Sequence, residues 1–111
     1  MLHAGLSTTA GINSGTGGIL SVRGDNVQGV ITVNTGINPD GQNIGRIGFS
    51  QSYGSDNVVV TVVPANRQAV GLAVMAEGIE GSGFELNCSQ QLDGNNVYQW
   101  YYSVIEIIEV Q

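Results

Sequence analysis

Short β-branched runs recur along this chain about every ten residues, separated by clusters of Gly, Asn, Asp and Pro. The runs are Ile19–Arg23, Val27–Thr35, Ile44–Phe49, Asn57–Val63, Ala69–Ala76, Phe84–Cys88 and Val97–Glu106, and no helix of ordinary length fits between them. Gly24-Asp25-Asn26, Asn38-Pro39-Asp40-Gly41, Pro64-Ala65-Asn66, Gly81-Ser82-Gly83 and Asp93-Gly94-Asn95-Asn96 supply the turns. Gly and Asn reach positive φ there, and Pro fixes φ and cannot continue a ladder. The pattern predicts an all-β fold, an antiparallel β-sandwich of about seven strands. Residues 1–18 are small and polar and have no sustained period, which predicts a Gly-rich connector followed by a sandwich over 19–111.

Alternation separates two kinds of strand. Phe84, Leu86 and Cys88 share one face of their run and Glu85 and Asn87 the other, as in a strand with one wet side. In "NVVVTVV" both faces are apolar: Val58, Val60 and Val62 oppose Val59 and Val63. Likewise Val97, Tyr101 and Ile105 oppose Tyr98, Trp100, Tyr102 and Val104. A sandwich buries one face of each sheet, so the second apolar face points to another subunit. A small closed barrel with scattered exposed aromatics is the alternative.

Charge narrows the partners. The formal net charge is −6, from three Arg, no Lys and nine acids, and charged residues are only 11% of the chain. Such a balance repels nucleic-acid phosphates and anionic membrane surfaces. The polar surface must come from uncharged Asn, Gln, Ser and Thr, which suits an extracellular or virion surface. Cys88 is the single cysteine, so no intrachain disulfide can form and the fold must stand on packing. No apolar run is long enough to span a bilayer, and the start of the sequence lacks the pattern of a secretory signal, so the chain is expected either to be made and assembled in a cytoplasm or to be a fragment of something longer.

Catalytic chemistry finds little support. Glu77, Glu80 and Glu85 cluster around Gly-rich turns, and the Gly-flanked stretch Glu77–Gly81 offers little to hold paired carboxylates rigidly or to raise a pKa. His3 lies in the expected connector, far from any nucleophile. Asp40, Gln42 and Asn43 resemble oxygen ligands but lack the Asp-x-Asp spacing or distal Glu of a calcium loop. The expectation is a non-enzymatic chain with no metal and no cofactor. Arg23-Gly24-Asp25 spells an adhesion tripeptide, but Gly24 and Asp25 occupy turn positions and the tripeptide reads as part of the turn.

Five landmarks in fixed order carry a resemblance. Gly24-Asp25-Asn26 precedes Gly29-Val30-Ile31-Thr32-Val33 and Thr35-Gly36; then come Ile47-Gly48-Phe49-Ser50, Val58 to Asn66, Gly83-Phe84-Glu85-Leu86, and Tyr101-Tyr102-Ser103-Val104-Ile105. From about Val22 to Glu106 this order resembles the C-terminal domains of bacteriophage tail fibres. The resemblance implies a sandwich assembled as a homotrimer at a fibre tip, carried on the virion and made in the host cytoplasm. It further implies a host surface polysaccharide or lipopolysaccharide as partner, without nucleic-acid contact or membrane insertion. Trp100 and the extended tail after Ile105 depart from the pattern.

Given that resemblance, Tyr and planar amides near loops suit sugar recognition, through ring stacking and hydrogen bonds to hydroxyls. The candidate attachment residues are Gln51, Tyr53, Asn57, Gln90, Gln91, Asn95, Asn96 and Tyr98, with Gln99 beside them. The alternative is a structural trimerisation or capping module that binds no receptor.

Overall fold

The computed structural model describes residues 6–107. Eight strands follow one another: β1 (Ser7–Ala10), β2 (Ile19–Gly24), β3 (Gln28–Asn34), β4 (Asn43–Gly48), β5 (Val58–Pro64), β6 (Val74–Glu80), β7 (Gly83–Cys88) and β8 (Val97–Glu106). They form two four-stranded antiparallel sheets, in the orders β1-β4-β7-β6 and β2-β3-β8-β5.

One core lies between the sheets. Ile44, Ile47, Phe84, Leu86 and Cys88 enter it from the first, and Ile31, Val33, Trp100, Tyr102 and Val104 from the second. The Phe84 and Tyr102 rings meet across the gap, with centroids 6.3 Å apart. Each fully buried aliphatic or aromatic side chain here contributes roughly 1.5–3 kcal/mol from burial. Trp100 is the largest buried side chain and stacks on Tyr98 at 6.1 Å, so its bulk is taken up inside the core.

Two segments differ from the sequence expectation. Within the predicted connector, β1 pairs with β4 from Ser7↔Gly48 to Ala10↔Gly45, and Asn13 and Ser14 are fully buried. Asn13 donates from Nδ2 to the Gln90 carbonyl at 2.9 Å and accepts from the Leu92 amide at 2.9 Å. Ser14 donates to the Ile44 carbonyl at 2.6 Å. Residues 7–14 therefore belong to the folded domain, held by hydrogen bonds rather than by an apolar stripe. Thr16 forms a bridge with Ile37 where Gly36 passes so close that a Cβ would overlap the Thr16 carbonyl oxygen.

The second difference is in β6, which begins at Val74 rather than Ala69 and runs on to Glu80. Upstream, Asn66 caps a short 3₁₀ turn (Arg67–Ala69), its side chain accepting from the Ala69 amide at 3.1 Å. The same Oδ1 accepts from Gln99 N at 3.2 Å, fixing the turn to β8. Val70 and Leu72 are thus drawn into the connection and not into a ladder.

Candidate functional site

The two sheets turn very different outer faces to solvent. On β1-β4-β7-β6 the outward residues form a polar ladder: Asn43 donates to Glu85 and to Asn87, each at 2.8 Å, and Asn87 donates to Glu77 at 2.8 Å. Arg46 pairs with Glu85 at 3.4 Å. Glu77 and Glu85 stand directly opposite in register, and this amide and guanidinium network offsets their like charge.

On β2-β3-β8-β5 the register sets Arg23, Val30, Tyr101 and Val63 in one row across the sheet. Ile105 and Val59 form a second apolar row, and Ile19 and Val97 flank Asn34 in a third. Between them lie uncharged hydroxyls and amides, including Ser21, Thr32, Gln99, Ser103 and Thr61, with Gln99 donating to Thr32 at 3.2 Å. Val59, Val63, Tyr101 and Ile105 are 43%, 47%, 52% and 62% exposed. No Asp or Glu points outward from these four strands, and their one outward charge is Arg23. The second apolar face expected for β5 and β8 is therefore present and uncovered in the single chain, and it extends onto β2 and β3.

Alternation explains how the face arises. Val58, Tyr98, Trp100, Tyr102 and Val104 occupy the inward phase of β5 and β8, which leaves their odd-numbered neighbours outward. The 30 residues of β2, β3, β5 and β8, at ~3.4 Å per residue and ~4.8 Å between strands, make a face of about 490 Å². That footprint is roughly six-tenths of the ~800 Å² that each partner buries in a standard stable interface.

The expected attachment residues are not gathered into one site. The loop from Gln51 to Asn57 lies beside the end of β8 at Glu106, whereas Gln90 to Asn96 lead into its start at Val97, about 30 Å away. Both tyrosines are occupied within the chain. Tyr53 packs edge-on against Phe49 at 5.1 Å and donates its hydroxyl to the Asn26 carbonyl; burial first, then Glu106 and Asp25, push that hydroxyl's pKa up. Tyr98 is 4% exposed, stacks on Trp100, and accepts from the Asp93 amide at 3.0 Å. A ring buried in this way cannot stack on a sugar, so Tyr98 positions a loop instead.

The amides divide as well. Gln90 Oε1 accepts from the Ala73 amide at 3.1 Å, whereas Gln51 and Asn57 are held through their main-chain carbonyls, which accept from Asn26 Nδ2 and Ile107 N, and their side-chain amides are exposed. Asn96 is used on both sides of its amide, Oδ1 accepting from the Val97 amide at 3.0 Å and Nδ2 donating to the Tyr98 hydroxyl at 3.4 Å. Gln91 and Asn95 lie on the rim of a cleft at the Val97 end, which Asn38, Pro39 and Asp93 also line, and Gln91 Nε2 donates to the Pro39 carbonyl at 3.0 Å.

Arg23 and Gly24 end β2, and Asp25 opens the turn that follows. Asp25 Oδ1 accepts from Val27 N at 2.8 Å and Gln28 N at 2.9 Å, and the Gln28 and Val27 hydrogen bonds hold its pKa below the usual carboxylate value. The carboxylate thus builds the β2–β3 hairpin. Glu77 and Glu80 belong to strand β6, with an irregularity between them at Gly78, rather than to the loop expected from sequence. Among the described residues no three His, Cys, Asp or Glu side chains converge as metal ligands. His3 lies outside the described residues. Comparisons with protein-family models, with curated proteins and with solved structures find no match.

Proposed function

We propose that this chain is a non-enzymatic fibre-end module that associates with copies of itself through the outer face of β2-β3-β8-β5 and serves attachment to a host surface. One observation carries the reading: a protein of net charge −6 leaves a four-stranded face whose outward residues are apolar or uncharged apart from Arg23, with no acid among them. Like charges approaching to 4 Å cost about 1 kcal/mol in water and about 4 near a protein surface. Association of acidic copies is therefore easiest across the surface that has no acids. The polar ladder of the other sheet, with Glu77 and Glu85, would meet its own charges.

Closed cyclic symmetry satisfies such faces without leaving an open one. The number three, the fibre and the phage host come from the tail-fibre resemblance; the face comes from the register of the strands. Charge placed on the face tests the reading. Tyr101→Glu and Ile105→Glu should each dissociate the assembly while leaving the Trp100 environment, read by fluorescence, unchanged. Association that survives both variants would place the interface elsewhere.

A further inference from the structure

Asp40 and Gly41 lie in the turn between Ile37 and β4, and both are exposed. Gly41 has φ of 71°, and its N–H points back at the preceding side chain, donating to Asp40 Oδ1 at 2.9 Å. The carboxyl is held there from outside the turn. Gln91 donates from Nε2 to the Pro39 carbonyl at 3.0 Å and to the same Asp40 Oδ1 at 3.1 Å, so one amide spans the main chain before Asp40 and the Asp40 side chain. The flanks are fixed as well: Asp40 N donates to the Ile12 carbonyl at 3.2 Å, and Cys88 N to the Gln42 carbonyl at 2.8 Å.

A main-chain nitrogen held against the carboxyl of the residue before it is the reactant pair for ring closure, and holding two groups in contact raises the rate of their reaction. Gly41 has no side chain to block the approach. The second Asp-Gly pair, Asp93-Gly94, has the same sequence without this contact. Its hydrogen bonds run through the Asp93 main chain, the N–H donating to the Tyr98 hydroxyl at 3.0 Å and the carbonyl accepting from Thr35 Oγ1 at 2.6 Å. Asn96 Oδ1 does accept from Val97 N at 3.0 Å, but the β-branched Val97 shields that nitrogen and is fixed opposite Asn34 in the sheet.

We infer that Asp40 is a site of spontaneous isomerisation to isoaspartate, selected by the fold and positioned by Gln91. With the carboxyl protonated, the Gly41 nitrogen attacks Cγ and its proton passes to Oδ1. A C–N bond forms, a C–O bond breaks, and one water departs, leaving a five-membered succinimide. Water then adds back. Opening at Cγ restores aspartate, whereas opening at the Asp40 main-chain carbonyl routes the backbone through Cβ and Cγ. That product lengthens the chain by one methylene between the Ile12 and Cys88 hydrogen bonds and loosens the turn. Neither attachment nor the exposed sheet face enters this chemistry, so either reading can fail alone.

Incubating the full chain in heavy-oxygen water tests it, because each passage through the succinimide leaves one heavy oxygen in the residue whichever product forms. Cleavage after Arg23, Arg46 and Arg67 puts Asp40 and Asp93 on separate peptides for mass spectrometry. In the folded chain Asp40 should take up label at least about ten-fold faster than Asp93. Electron-transfer fragmentation should find isoaspartate at residue 40. In urea the two rates should converge, since only folding distinguishes the pairs. Gln91→Leu should slow labelling of Asp40 several-fold, with the Asp93 rate and the melting temperature unchanged. Equal labelling of Asp40 and Asp93 in the folded chain would overturn the inference, as would a preference for Asp40 that persists in urea. Labelling of Asp40 at the parental rate in Gln91→Leu would overturn the role of Gln91.

Discussion

Tyr102 donates its hydroxyl to the carbonyl of Asp25 at 2.6 Å, joining the middle of β8 to the hairpin between β2 and β3. Burial, then the neighbouring Asp25 carboxylate, push the Tyr102 pKa up from 10.0 to about 12. A raised phenol pKa means that the folded state keeps its proton where the unfolded state has lost it. Stability from this group is complete below about pH 10 and is lost as pH rises towards 12. Thermal melts should show this alkaline decline in the parent and a shallower one in Tyr102→Phe. An equally steep decline in both would remove Tyr102 from its cause.

The hairpin gives a second prediction. Gly24 has φ of 148°, and a Cβ there would overlap the Gln28 carbonyl oxygen and crowd the Tyr102 hydroxyl. Gly24→Val should cost about 1–3 kcal/mol, a fall of several degrees in melting temperature. Asp25→Glu should weaken the hairpin and leave any cell-surface binding intact. A thermally silent Gly24→Val would contradict the hairpin geometry.

Asn13 tests whether the early segment is part of the domain. Asn13→Ala leaves the Gln90 carbonyl and the Leu92 amide without their buried partner, at a cost of roughly 1–3 kcal/mol. Chemical denaturation followed through Trp100, the single tryptophan, should register the loss as a lower midpoint with an unchanged slope. An unchanged midpoint would mean that this segment contributes nothing to stability.

These residues also mark what the sequence made legible. Strand β8 appears with its bounds, Val97–Glu106, because a ten-residue apolar and aromatic run with period two is a strong local signal. The doubly apolar character of β5 and β8 is equally local, and it led to the exposed face. Alternation in β8 already sets Tyr98 on the side of Trp100 and Tyr102, whereas its neighbouring amides suggested an exposed loop residue; the period is the sounder guide.

Strand β1 left no comparable trace. "STTA" has no apolar alternation, and its order comes from pairing with β4, more than 30 residues away. Asn13 and Ser14 are buried by partners equally remote, Gln90, Leu92 and Ile44. The absence of acids on one sheet face is likewise invisible until register brings β2, β3, β5 and β8 side by side. The cleft joins residues from two distant turns, of which sequence alone singled out Gln91 and Asn95.

Self-association through the acid-free face is the central claim, and the mass of the parent protein in solution tests it most directly. Sedimentation equilibrium at micromolar concentration should give about 35 kDa, three times the 11.6 kDa of one chain. A dimer would keep the face and contradict the trimer. A mass of 11.6 kDa across the accessible concentration range would contradict the account.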